Sequence, residues 1–224
     1  MTSLAIARAA IFVGMFFLVS GPVHECSHAF AAWKLGDGTA KLFGRVTLDP
    51  IRHFDPIGGT LLAGSVLLGL ISGGATIGFG WAKPTPVNPF NLRGRYADSI
   101  VAAAGPLSNL ALAAVCAIGF RILWADGGYP DNTSALNMLT LVFFIGMQLN
   151  VLLMLFNLIP IPPLDGSHVL FDMVGPRTAH DLRAFMNQYG LMLLIVVVIF
   201  AGRIISPLLD PIISFLGGVP VVSS

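Results

Sequence analysis

The sequence predicts an all-α polytopic membrane protein with about four to six transmembrane or re-entrant helices and a short β-strand or extended insertion. Three observations carry this prediction. Only 10% of the 224 residues are charged, where an average soluble domain carries roughly 25%. Hydrophobic residues make up 55%, and mean hydropathy is +0.84. Charge-free runs cover 9–23, 56–82, 99–120, 132–164 and 184–202. So few charges cannot cover a soluble surface of this size, which excludes a soluble enzyme and a disordered chain. A net charge of +1 excludes the basic footprint of a nucleic-acid binder.

The elements follow in order. A first helix covers 5–34: its charge-free run is short, but it extends from about Ala5 through His28 to Trp33, enough to cross a bilayer. Residues 9–20 also fit the apolar core of a signal peptide. A single Arg precedes them and no small-x-small cleavage site follows, so the segment is read as retained. Residues 39–95 form a strand or re-entrant insertion. Within it, 39–48 alternates enough for a short strand. Residues 56–82 carry Gly58, Gly59, Gly64, Gly69, Gly73, Gly74, Gly78 and Gly80, which suits a broken path lying against protein. Residues 81–89, with prolines at 84, 86 and 89, cannot be helical and read as an extended loop or edge strand. Core helices follow at 97–124 and 136–159, then a loop at 160–175. Residues 190–217 are one helix or two pieces, because Arg203, Pro207 and Pro211 interrupt them. No repeat or appended soluble domain is visible, so 1–224 reads as one membrane-embedded domain. Cys26 and Cys116 lie in apolar segments and read as packing thiols.

The charges orient the chain. Lys34, Lys41, Arg45 and Arg52 follow the first helix, Lys83, Arg93 and Arg95 follow the second apolar run, and Arg177 and Arg183 precede the last. The connection 125–134 holds Asp126 and Asp131 and no Lys or Arg. The positive-inside rule puts the basic clusters in the cytoplasm and the acidic connection outside.

Ten of the eleven acidic residues are Asp; the one glutamate, Glu25, lies in an apolar stretch. An ionisable group at membrane depth is a functional candidate by default. It sits in His24-Glu25-Cys26-Ser27-His28, an H-E-x-x-H pattern. On a helix, positions i and i+4 share a face, so two imidazoles can reach one zinc ion while Glu25 takes a proton from its bound water. A catalytic zinc site has three protein ligands and one open position. His53, His168, His180 and the ten aspartates are candidates for the third. Asp165 is the best, because prolines 160, 162 and 163 break the helix before it and Gly166 follows. The plainer role for Asp165 is to cap a helix starting near Ser167. His53 and His180 sit among loop charges and read as solvated.

H-E-x-x-H on an early membrane helix, followed by Asn157, Pro160 and Leu164-Asp165-Gly166 in the spacing N-x-x-P-x-x-x-L-D-G, resembles the site-2 protease family of intramembrane zinc metalloproteases. Ala104-Gly105-Pro106-Leu107-Ser108-Asn109 and Gly44-Arg45-Val46-Thr47-Leu48-Asp49-Pro50 match it more softly. The resemblance covers roughly residues 10 to 175. It implies one catalytic zinc ion on His24, His28 and Asp165, with Glu25 as general base. It also implies that Asn157 donates to the developing oxyanion; capping or bridging helices is the simpler role. Asn109 either lines the site or joins helices. His168 either supports the site or is an ordinary polar helix start.

The same site sets the topology. His24 and His28 lie in the inner half of the first helix, and Asp165 must reach the same depth. The helix 136–157 then descends, 97–124 ascends, and 56–82 must return to the side it left. The implied activity is hydrolysis of peptide bonds in or near transmembrane segments of membrane-protein substrates, by Glu-assisted attack of zinc-bound water. The partners are a substrate with a transmembrane helix and the lipid bilayer, with no nucleic acid. The expected location is the cytoplasmic membrane of a prokaryote, with the active site toward the cytoplasm. Two other readings use the same residues: an inactive metal-binding or scaffold protein of this fold, against which an intact Glu25 argues, and a metal transporter, against which the lack of paired halves argues.

Overall fold

The computed structural model describes residues 2–72, 78–124 and 135–218. The acidic connection 125–134, with Asp126 and Asp131, lies outside the described residues, as do Gly73 and Gly74. Among the described residues, four helices are long and apolar enough to cross a membrane: Ser3–Lys34, Ala97–Leu123, Leu136–Asn157 and Pro176–Ile199. The chain is an all-α integral membrane protein, and among the described residues it contains no strand.

The first long helix joins α1 (Ser3–Met15) and α2 (Gly21–Lys34) through a π-helical turn at Phe16–Ser20. Pro22 has no N–H to give the preceding turn, and such a residue opens a helix locally. The Gly21 N–H instead reaches back to Phe16 O. At 1.5 Å per residue, the histidine motif lies about 30 Å from Ser3, near the end carrying Lys34.

α6 (Ala97–Leu123) and α7 (Ala135–Asn157) form the centre. Phe120 packs on Phe144, Gly119 on Phe143, Cys116 on Gly146 and Asn109 on Asn150. From 119/143 through 116/146 to 109/150 one number falls as the other rises, so the pair is antiparallel. α2 runs antiparallel to α6 in the same way, with His28 at Val101 and His24 at Asn109. α10 (Ala201–Gly217) closes this group, with Ile213 in a core beside Phe120 and Met147. The C-terminal region is two helices. The break falls at Phe200, and α9 (Pro176–Ile199) begins well before residue 190. Pro207 and Pro211 lie inside α10 and do not interrupt it; their fixed φ is already helical, and membrane helices tolerate the missing N–H where neighbours or polar groups satisfy the carbonyl.

The insertion differs from the expected strand. Residues 39–42 are a short helix, α3 (Thr39–Leu42), which Asp37 starts by accepting the Thr39 N–H. The apolar alternation over 39–48 marks an exposed surface, since Leu42, Phe43 and Leu48 are all open. Asp49 caps α4 (Pro50–His53), and Asp55 caps α5 (Pro56–Ser72) through the Ile57 and Gly58 N–H groups. Residues 78–88 then return as an extended strap. Its Gly80 abuts Leu62, Trp81 abuts Gly58, and the Lys83 N–H donates to His53 O at 2.8 Å. The chain therefore comes back to the end of α5 from which it departed. A Cβ at Gly58 would lie 2.2 Å from Trp81 O, and one at Gly80 2.4 Å from Gly58 O, so glycine permits this approach. The strap continues along α2, with Ala82 at Gly21, Thr85 at Glu25 and Asn88 at Asp37.

Candidate active site

His24, His28 and Asp165 converge. Both Nε2 atoms lie 3.3 Å from Asp165 Oδ2 and 3.0 Å from each other. Their ligand atoms all fall within 4.8 Å, the one such group of three among the described residues. Asp165 comes from the loop after α7, where Pro160, Pro162 and Pro163 prevent the helix from continuing. It stands at the N-terminus of α8 (Gly166–Met173) but makes no side-chain capping bond. A Cβ at Gly166 would lie 2.2 Å from Leu158 O, so glycine lets the loop fold back on itself.

The histidines are oriented from behind. Gly146 O can only accept, so Asn150 donates to it through Nδ2 at 2.8 Å. Asn150 Oδ1 then accepts from Asn109 Nδ2 at 2.9 Å. This turns Asn109 Oδ1 toward His24 Nδ1, 2.6 Å away, which must carry the proton. His28 Nδ1 likewise donates to Val101 O at 2.7 Å. Both Nε2 lone pairs therefore face Asp165. Gly105 leaves them room: a Cβ there would sit 2.3 Å from His28 Nε2.

This arrangement fits a divalent cation. Two imidazole lone pairs and a carboxylate oxygen oppose one another in a buried space, where they repel unless a positive charge joins them. Asp165 Oδ2 is buried and has no hydrogen-bond partner. The proton held on each Nδ1 by an outer acceptor is the support that metal-bound histidines have.

Glu25 lies beside this cluster on α2. Its Oε2 accepts the Thr85 N–H at 2.8 Å, and its backbone carbonyl accepts the Thr85 hydroxyl at 2.9 Å. Asn157 ends α7 and gives one amide N–H to Leu153 O at 2.9 Å, within its own helix. His168 stands outside the cluster. Its Nδ1 donates to Asp98 Oδ2 at 2.9 Å, and that carboxylate raises the imidazole above its ordinary value. With the Ser99 hydroxyl on Asp172 at 2.6 Å, this ties α8 to the start of α6. His180 is exposed, as expected. His53 is not solvated: it is 2% exposed, and its Nε2 donates to Thr47 O at 2.8 Å. The cap at Asp49 winds α4 so that this side chain turns inward. Asn150 and Thr85 were not foreseen. Asn150, a polar side chain in an apolar run, was open to notice as a bridge between helices; Thr85 is marked only by the prolines on either side of it.

Fold and donor set together define a class: polytopic membrane proteins with a candidate metal centre formed by one membrane helix and the loop that follows another. The profile of Peptidase family M50 matches residues 122–201. The chain is 42% identical over 185 residues to a Bacillus subtilis protein named "Putative zinc metalloprotease YwhC", covering 80% of this chain and 76% of that one. It is 35% identical over 193 residues to "Putative zinc metalloprotease Rip2" of Mycobacterium tuberculosis, covering 85% and 68%. The Rip2 protein of Mycolicibacterium smegmatis is 34% identical over 199 residues, covering 86% and 70%. No solved structure matches the chain. The chain belongs to Peptidase family M50, the site-2 protease family, and is a metalloprotease.

Proposed function

We propose that this metalloprotease hydrolyses peptide bonds in or near transmembrane segments of membrane-protein substrates, using one catalytic zinc ion held by His24, His28 and Asp165. The observation that carries the reading is the meeting of these three side chains, with both Nδ1 protons directed away from the centre. When bound, zinc supplies Lewis acidity, polarising a carbonyl and making water more acidic. Glu25 accepts the proton of the attacking water at its carboxylate and returns it to the leaving amine. Asn157 has a second amide N–H to offer the developing oxyanion.

A substrate helix hides its carbonyls in its own hydrogen bonds, so it must unwind before attack. The strap 78–88 is an extended edge beside Glu25 and serves as a docking platform by strand addition. The basic clusters favour a site toward the cytoplasm, and the bacterial relatives favour the cytoplasmic membrane of a prokaryote.

The test is purified protein with single-span substrates, with and without a chelator. Chelation is expected to abolish cleavage. Glu25→Ala is expected to lower cleavage by about a hundredfold or more while zinc content stays unchanged. Full cleavage by that variant refutes the assignment.

A further inference from the structure

We infer that Thr85 is a positioning residue for Glu25, locking the base to the strap through two hydrogen bonds. The inference rests on the proposed role of Glu25 as base. The Thr85 N–H donates to Glu25 Oε2 at 2.8 Å, and the Thr85 hydroxyl donates to the Glu25 carbonyl at 2.9 Å. One bond fixes the carboxylate and the other fixes the turn of α2 that bears it.

The local sequence prepares this contact. Prolines 84 and 86 have no N–H, so Thr85 holds the one backbone donor over 84–86. Pro86 also restrains the residue before it to extended conformations. Successive residues of an extended chain point to opposite sides: Pro84 and Pro86 line a cleft with Phe43 and Ile51, while Thr85 turns to Glu25. From the far side, the buried guanidinium of Arg45 donates to Lys83 O at 3.0 Å and Pro84 O at 2.9 Å. The donor is therefore set in place before any substrate arrives. A free glutamate samples many rotamers, and a charge-assisted hydrogen bond to one oxygen selects among them and leaves the other oxygen for the proton. Because the strap is also the proposed platform, a substrate chain seated on it is aligned with the base by the same contact.

Glu25 is the only glutamate in the chain, so glutamate labelled with carbon-13 at its side-chain carboxyl gives one resonance in tag-free protein. The experiment compares wild type, Thr85→Ser, Thr85→Val and Thr85→Pro for that resonance, zinc content, kcat and KM on a single-span substrate. Thr85→Ser keeps both donors and is expected to match wild type throughout. Thr85→Val loses the hydroxyl and is expected to shift the resonance and lower kcat about threefold. Thr85→Pro loses both donors, with a larger shift and a fall of about tenfold in kcat at unchanged KM and zinc content. The inference is overturned if the resonance stays put in Thr85→Pro, if kcat stays at wild type, or if Thr85→Ser falls as far as Thr85→Pro. Should Thr85→Pro not fold, Thr85→Val decides by the same criteria. The resonance is read without substrate, so a fully active Glu25→Gln would sink the base assignment while leaving the Thr85 contact separately measured.

Discussion

At the scale of single residues, the site depends as much on an absent side chain as on those present. A methyl group at position 105 would lie 2.3 Å from His28 Nε2 and 2.6 Å from His24 Cε1, closer than a methyl carbon approaches any non-bonded heavy atom. Gly105→Ala is therefore expected to weaken zinc affinity by about tenfold or more, as misplaced ligands do, with helix content unchanged. Zinc titration alongside circular dichroism checks this, and wild-type affinity would contradict the crowding. The H-E-x-x-H pair and Asp165 were legible in sequence, because helix periodicity fixes which side chains share a face and three prolines announce where a helix must stop. Their outer partners were not. Asn109 stood open between lining the site and joining helices: one end of its amide bonds His24 on α2 from behind and the other binds Asn150 on α7, so it joins three helices. No rule of spacing within one segment reveals a partner on another helix.

At the scale of elements, the strap is held at its far end by Asp37, just beyond α2. Its carboxylate accepts from the Thr39 N–H and hydroxyl, the Asn88 N–H and the Asn91 amide. Burial pushes this carboxyl up, but the hydrogen bonds outweigh it and hold it below its usual value. The folded pKa is thus the lower one, so its stabilisation is present above the unfolded value of about 3.9 and is lost as pH falls through the folded value. Asp37→Asn is expected to cost about 1 kcal/mol near neutral pH, or roughly 3 °C in Tm. The gap to wild type should close below about pH 4; thermal melts in detergent across pH measure it, and a gap that widens in acid would refute the assignment. Sequence reading drew the return of 56–82 from the depth that His24, His28 and Asp165 must share, since charge alone left it open, and the extended character of 81–89 from its prolines. It misread 39–48 as a strand, because alternation on an exposed surface imitates alternation across a sheet. The Asp37 turn before α3 and the caps at Asp49 and Asp55 carried the better signal.

At the scale of the whole molecule, charge scarcity was enough to establish a helical membrane protein, and the long spans appear where the apolar runs predicted them. The C-terminal helices were less legible, since proline is a weaker breaker where neighbouring helices or polar groups satisfy the freed carbonyl. Sidedness is open to direct test. Phe90, beyond the strap, is 97% exposed. Phe90→Cys, in a background lacking Cys26 and Cys116, is expected to react with an impermeant thiol reagent only when the cytoplasmic face is open. Reaction from the outer face alone would invert the proposed orientation.

The chain of amides from His24 through Asn109 and Asn150 to Gly146 O has a consequence for assembly. Apolar side chains alone let neighbouring helices slide past one another with little penalty, since one leucine contact resembles the next. Here a slip of one turn by α2, α6 or α7 would strand buried amide groups in hydrocarbon, at several kcal/mol for each unsatisfied group. The network is therefore a vertical gauge: it admits one depth for each of three helices. His24 and His28 reach their depth through the insertion and docking of the helices themselves.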